Sequence, residues 1–329
     1  MKKFFKRFFL SLIVLILVLV VYVFAAWDKD FDAPYPDIHA SQDSAIIARG
    51  KYLVFGPAHC ATCHVPMDKL SAVDAGEEMP LSGGWELDIP PGIVRAPNLT
   101  PDMETGIGKL SDGQIARALR FSVNRHNKLM FPFMPFQEIS DADLTAIISY
   151  LRSQPAVKHA VKEKEIKFLG KALLAFGVVT PVAPKETPPV MVTIDSTIEY
   201  GSYIANRVAN CTGCHTNRDL KTGAFTGEPL AGGFLMPADE FSEGFTFVTP
   251  NLTPDKETGR ITNWSETAFI NRFRGGRSLR TSPMPWGVFS RMDDVELKAL
   301  YRYLHSLPPV HKKVEKTFYA PDEKVPDNI

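Results

Sequence analysis

Two pentapeptides carry the most specific chemistry in this chain: Cys60-Ala61-Thr62-Cys63-His64 and Cys211-Thr212-Gly213-Cys214-His215. Together they use all four cysteines of the 329 residues. C-x-x-C-H is the spacing of covalent c-type haem attachment. Two intervening residues let one turn of chain present both sulfurs along one porphyrin edge, where they add to the two vinyl groups. The histidine that follows swings beneath the iron as its proximal ligand. A lone C-x-x-C fits a redox dithiol or part of a zinc site equally well. Two copies, each completed by His with no cysteine left over, predict two covalently bound haem c groups, one on Cys60, Cys63 and His64 and the other on Cys211, Cys214 and His215.

Iron in an electron carrier usually takes a second strong ligand, commonly a methionine, which raises the reduction potential relative to two histidines. Ten methionines compete for that post. Phe133-Met134-Pro135-Phe136 matches Pro283-Met284-Pro285-Trp286, whereas Met67, Met79, Met103 and Met130 have no methionine at the matching place. A methionine in apolar context is ordinarily core filler, but duplication after each haem motif marks Met134 and Met284 as the distal ligands. Met130 and Met292 are the nearest rivals. His59 and His126 have no histidine partner in the second half, where Asn210 and Arg277 lie nearby. They read as surface or hydrogen-bonded side chains, with a bis-histidine iron through His126 as the alternative.

The elements that must hold these residues are themselves written twice. Cys60 and Cys211 lie 151 residues apart, and Gly50-Lys51-Tyr52 pairs with Gly201-Ser202-Tyr203 at the same offset. Leu81-Ser82-Gly83-Gly84-Trp85 recurs as Leu230-Ala231-Gly232-Gly233-Phe234, and the Asn-Leu-Thr-Pro-Asp-x-Glu-Thr-Gly sequence of 98–106 recurs at 251–259. Two repeats of this length are tandem domains, not a solenoid. Each half reads as helical: a helix over 44–55, one opened by the Ser111/Gln114 capping box, and a last one started at Ser140 and stopped by Pro155. Their partners start near Ser265 and Asp293, and Pro308 stops the last. Little alternates with period two, so few strands are expected. The Asn-Leu-Thr-Pro-Asp loops hold clustered oxygens that calcium could use, but they lack the twelve-residue ligand pattern. A rigid turn that walls each haem is the better reading.

The predicted organisation is an N-terminal anchor at 1–27, a first domain at 41–155, a linker at 156–194, a second domain at 195–310 and a loosely attached polar tail at 311–329. In the linker, the apolar stretch 168–179 is too short to cross a bilayer. It reads as a helix packed across both domains, or else as a monotopic contact beside the anchor.

Composition excludes little: 45% hydrophobic, 22% charged and a formal net charge of +0 describe ordinary globular domains with no pull toward nucleic acid. The N-terminus is more telling. Lys2, Lys3, Lys6 and Arg7 precede an apolar run over 8–27 broken only by Ser11. That run matches the ~20 residues needed to span the hydrocarbon core. The basic flank leaves the N-terminus cytoplasmic and the rest outside, on the side where haem c is attached. Val23-Phe24-Ala25 is a poor cleavage site, which favours a retained single-pass anchor in the cytoplasmic membrane over a signal peptide.

The motif order, from C-x-x-C-H through Gly-Gly-aromatic, Asn-Leu-Thr-Pro-Asp-x-Glu-Thr-Gly and Met-Pro-aromatic to Tyr-Leu-x-Ser-x-Pro, resembles the multihaem cytochrome c subunits of membrane-bound alcohol and gluconate dehydrogenases and related dihaem cytochromes c. The resemblance covers roughly 44–310. It implies a mostly α fold of two tandem class I cytochrome c domains, with His64 and His215 proximal and Met134 and Met284 distal. It also implies electrons passed from a periplasmic or membrane-bound dehydrogenase, or a quinol-linked complex, toward an acceptor such as a terminal oxidase. Those subunits carry three haems and this chain has two motifs. The leading expectation is an electron carrier without substrate chemistry. A dihaem peroxidase-type oxidoreductase is the alternative, and would need one five-coordinate iron. A haem-based sensor would need an output domain that the sequence does not display.

Overall fold

The computed structural model describes residues 1–131, 133–220, 222–239 and 242–326. The chain is mostly helical and begins with α1 (Lys2–Ala26), the one described helix long and apolar enough to cross a membrane. Its side chains stand almost wholly exposed, with Val23 the buried exception.

The first half then builds α2 (Ser44–Phe55), α3 (Ala61–His64), α4 (Leu70–Asp74), β1 (Glu86–Ile89), β2 (Gly92–Arg95), α5 (Asp112–Phe121) and α6 (Asp141–Ser153). Next come β3 (Glu165–Ile166) and α7 (Phe168–Ala175). The second half adds α8 (Ile198–Tyr203), α9 (Cys211–His215), β4 (Leu235–Met236), β5 (Thr246–Val248), α10 (Glu266–Arg274), α11 (Trp286–Phe289), α12 (Asp294–Ser306) and β6 (Phe318–Tyr319). Local chemistry sets the helix starts. Asp43 caps α2, Ser111 closes its capping box with Gln114, and Ser140 and Ser265 accept from Asp143 and Ala268. Asp293 occupies the same position before α12, but its carboxylate makes no capping bond. Its amide is turned to Tyr52 Oη at 2.8 Å instead.

In each half the first helix crosses the last, α2 on α6 and α8 on α12, through a glycine. A Cβ on Gly50 would stand 1.8 Å from Ala146 O, and one on Gly201 would stand 2.0 Å from Ala299 O. No larger residue fits either crossing.

The segments after the last helices differ from the sequence expectation. The linker and tail both fold back as edge strands: β3 pairs antiparallel with β2, and β6 pairs with β5. The tail is therefore docked, with Tyr319 buried. Strands of two residues are too short to give a legible alternation, so periodicity could not reveal them. The apolar stretch from 168 is not laid across both halves. It forms α7 against the end of α1, where Tyr22 meets Phe176 and Phe24 meets Phe168.

One continuous apolar core runs through both halves. Across their contact, Tyr203 Oη donates to Asp143 Oδ2 at 2.7 Å and accepts from the Ser140 amide at 3.1 Å. Reciprocally, Tyr52 Oη donates to Glu296 and accepts from the Asp293 amide. Arg49 bridges both carboxylates, at 2.9 Å to Asp143 and 3.3 Å to Glu296. Farther out, Arg277 reaches Asp74 at 2.6 Å, and His59 packs edge-on against Phe289.

Candidate haem-attachment sites

Each C-x-x-C-H segment is a single helical turn entered from a left-handed residue. His59 (φ 42°) precedes Cys60 and Asn210 (φ 55°) precedes Cys211. Asn and His are among the non-glycine residues that enter that conformation most readily. In the first segment the Cys63 and His64 amides both bond back to Cys60 O, at 3.2 and 2.9 Å. Residues three and four apart on a helical turn share one face, so Cys60, Cys63 and His64 are presented together. Cys211, Cys214 and His215 repeat this on α9, where the Cys214 amide bonds to Asn210 O at 3.3 Å.

Both histidines are buried and bound the same way. His64 Nδ1 donates to Pro97 O at 2.9 Å, and His215 Nδ1 donates to Pro250 O at 3.2 Å. A carbonyl only accepts, so the proton sits on Nδ1 and Nε2 keeps its lone pair. Among the described residues no hydrogen bond reaches either Nε2. Burial pulls both imidazoles below their ordinary pKa, His215 to about 4, against the opposing pull of the proline carbonyls. A neutral imidazole with an oriented ring and a free Nε2 is what a metal ligand requires.

A pair of glycines holds each proline carbonyl in place. Gly83 (φ 77°) and Gly232 (φ 72°) lie where a Cβ would meet the carbonyl carbons of Pro97 and Pro250 at 2.5 and 2.4 Å. Their amides bond to His64 O and His215 O, at 2.8 and 2.7 Å. The next glycines bond to Ala96 O and Thr249 O. The Gly-Gly dipeptide thus joins the histidine to the strand that delivers its proline.

The cysteines are partly buried, and burial pushes the Cys60, Cys63 and Cys211 thiols up to about 12 and raises Cys214 as well. A redox dithiol needs the opposite shift. No three Cys, His, Asp or Glu side chains among the described residues converge as a metal-binding set, and a structural zinc needs four ligands. Apolar thiols beside a neutral, oriented imidazole do fit a covalently attached haem.

The distal candidates differ in placement. Met134 and Met284 are partly buried and pack against the core. Met130 does not join that packing, and Met292 is fully buried within the core. His126 stands exposed in a turn, its Nε2 accepting from Arg125 Nε at 2.9 Å. His59 Nδ1 bonds to Pro57 O at 3.2 Å.

The Asn-Leu-Thr-Pro-Asp loops are polar turns whose oxygens are spent locally. Asn98 Oδ1 accepts from the Thr100 amide and hydroxyl, at 2.9 and 2.8 Å, and Asn98 Nδ2 reaches Val157 O at 2.8 Å. Asp102 Oδ1 accepts from the Thr105 amide and hydroxyl, at 2.6 and 2.7 Å. Asn251, Thr253, Asp255 and Thr258 repeat the set. Each loop ties Pro97 or Pro250, at its start, to the segment following the last helix.

Sequence reasoning passed over Pro97 and Pro250. Their signal was a proline preceding both Asn-Leu-Thr repeats. It also passed over Arg218, whose guanidinium donates to Gly213 O and lies over Phe225 and Phe234 at 4.7 and 5.1 Å. The first half has Met67 at the matching position.

Residues 47–155 match the cytochrome c family model. The chain is 28% identical over 291 residues to the cytochrome c subunit of a quinone-type alcohol dehydrogenase from Gluconobacter oxydans, covering 82% of this chain and 56% of that protein. It is 27% identical over 304 residues to the gluconate 2-dehydrogenase cytochrome c subunit of Pantoea cypripedii, covering 86% and 64%. A diheme cytochrome c-type protein of Cereibacter sphaeroides is 26% identical over 283 residues, covering 78% and 84%. The chain thus spans little more than half the length of the alcohol dehydrogenase subunit it matches.

Proposed function

We propose that this chain, which carries a cytochrome c domain and is homologous to cytochrome c subunits of dehydrogenases, is a membrane-anchored dihaem electron carrier. In this reading each half is a class I cytochrome c domain. The first extends through β3 and the second through β6, beyond the limits at 155 and 310 drawn from sequence. The observation that carries the reading is the duplicated unit of C-x-x-C-H, buried histidine and proline carbonyl, formed with the same hydrogen bonds in both halves.

A bound haem supplies a one-electron iron couple. The residues would do the rest: the cysteine pairs would fix the group, and His64 and His215 would offer it Nε2. Met134 and Met284 would supply the second ligand to each iron, which would leave no position for a substrate. The exposure of His126 supports Met134 over a bis-histidine iron. The proline carbonyls orient both imidazoles and strengthen them as donors. The Arg218 cation lies beside the second motif alone, and a fixed positive charge there favours the reduced state. Electrons would enter from a dehydrogenase or quinol-linked donor and leave to an acceptor such as a terminal oxidase. Helix α1 would anchor the chain in the cytoplasmic membrane with both haem domains outside.

The ferrous protein should bind carbon monoxide poorly and turn over no peroxide at an enzymatic rate. Rapid carbon monoxide binding at one iron, or peroxide turnover, would hand the case to the dihaem peroxidase. For the anchor, protein starting near Asp28 behind a cleavable export signal should be soluble and haem-loaded. Native protein recovered soluble with its N-terminus cut near Ala26 would replace the anchor by a signal peptide.

A further inference from the structure

Helix α7 takes no part in either haem-attachment site, yet it has a defined seat. Leu174 and Ala175 face inward, and the amide of Lys167 at its start bonds to Pro91 O at 3.0 Å in the β1–β2 turn. Along the same segment Phe168, Phe176 and Val178 are each 54% exposed. We propose that α7 and the turn after it lie in the outer lipid interface, as a second membrane contact next to α1. This rests on the reading of α1 as the anchor.

The depth argues for lipid. The Phe176 ring stands 5.3 Å from Tyr22 and the Phe168 ring 6.2 Å from Phe24. At about 1.5 Å of rise per residue, Tyr22 and Phe24 lie roughly 4 to 8 Å inside Trp27 along the axis of α1. Tryptophan at the end of a spanning helix sits at headgroup level. The exposed face of α7 is then held about as deep as interfacial helices bury theirs, roughly 5 to 10 Å.

The polar groups agree. Lys171 Nζ lies between two rings at the end of α1, 5.0 Å over Phe24 and 4.9 Å over Trp27, within reach of the headgroup level that Trp27 marks. Lys29 Nζ donates to Ala175 O at 2.8 Å, closing the end of α7. Neither ammonium forms an ion pair among the described residues, so both can take a lipid phosphate. Because α7 is fixed to Pro91 on one side and α1 on the other, the same contact sets how the first half stands on the membrane.

The test uses the full-length, haem-loaded chain in vesicles of phosphatidylethanolamine and phosphatidylglycerol, with photoreactive benzoylphenylalanine replacing Leu15, Phe168 or Phe176 in turn. Lipid adducts are expected at all three positions by mass spectrometry. Lys29→Gln with Lys171→Gln should lower the adduct at 176, on the order of fivefold per lysine, and leave that at 15 unchanged. Adducts at 15 but none at 168 or 176 overturn the second contact and spare the anchor, whereas none at 15 overturns the anchor itself. Yields at 176 unaffected by the lysine changes overturn the phosphate contact. In native membranes, capture of a protein in place of lipid at 168 and 176 would overturn the proposal in favour of a partner subunit.

Discussion

His64 Nδ1 and the carbonyl oxygen of Pro97 lie 2.9 Å apart, joined across 33 residues of chain. That single hydrogen bond selects the tautomer, fixes the ring plane and leaves Nε2 free. It depends on Gly83, the only residue type that can hold φ near 77° with a carbonyl carbon 2.5 Å from where a Cβ would be.

Gly83→Ala should therefore move Pro97 O away from His64 and cost roughly 1 to 3 kcal/mol in stability. Without that acceptor the imidazole is a poorer electron donor, so the potential of the first haem should rise while the second stays put. Gly232→Ala should do the converse. Spectroelectrochemical titration separates the two, and a variant that shifts both potentials equally would contradict the local role given to the glycine.

Two haems should remain on each chain after denaturation and acid–acetone extraction. Cys60→Ser or Cys211→Ser should compromise haem retention in its own half more than in the other. Intact mass reads the count, and a parent protein with only one attached group would end the two-domain reading.

Met134→His and Met284→His should each lower the potential of one haem, since imidazole stabilises ferric iron more than a thioether does. Met134→Ala and Met284→Ala should open the corresponding iron to carbon monoxide, seen as a new ferrous Soret band. If Met130→Ala opens the first iron and Met134→Ala does not, the distal assignment moves to Met130.

Asp102 and Asp255 are held below the usual carboxylate pKa by hydrogen bonds from Thr105 and Thr258. A folded value below the unfolded one, about 3.9, means their contribution is present above that pH and is lost as pH falls through the folded value. Thermal unfolding should show extra acid sensitivity below about pH 4, reduced in Asp102→Asn and Asp255→Asn. Variants that keep the parent's acid profile would show the loops to be held by other contacts.

What the sequence disclosed follows from what repetition and spacing can encode. The haem motifs, the capped helices and the Gly-Gly and Asn-Leu-Thr segments are each carried by several side chains in fixed order, and the helices formed close to the predicted places. Pro97 and Pro250 escaped notice because they act through backbone carbonyls, which carry no residue-type signature. The strands β3 and β6 were hidden by their two-residue length. The inverted role of Asp293, with its amide given to Tyr52 and its side chain making no cap, depends on a residue 241 positions away. Only tertiary structure brings those two together.

The reciprocal contacts of Tyr52 and Tyr203 carry a consequence for direction. Each tyrosine reaches from the first helix of its own half to the start of the other half's last helix, the self-complementary pattern of an isologous dimer contained in one polypeptide. The match holds at the tyrosines but not at every cross-half contact, because Arg49, which reaches both carboxylates, stands where the second half has Tyr200. In the electron-carrier reading, the matched tyrosine pair by itself sets no preferred sense of flow. A preference would come from places where the halves part company, such as Met67 against Arg218, and exchanging that pair would test it.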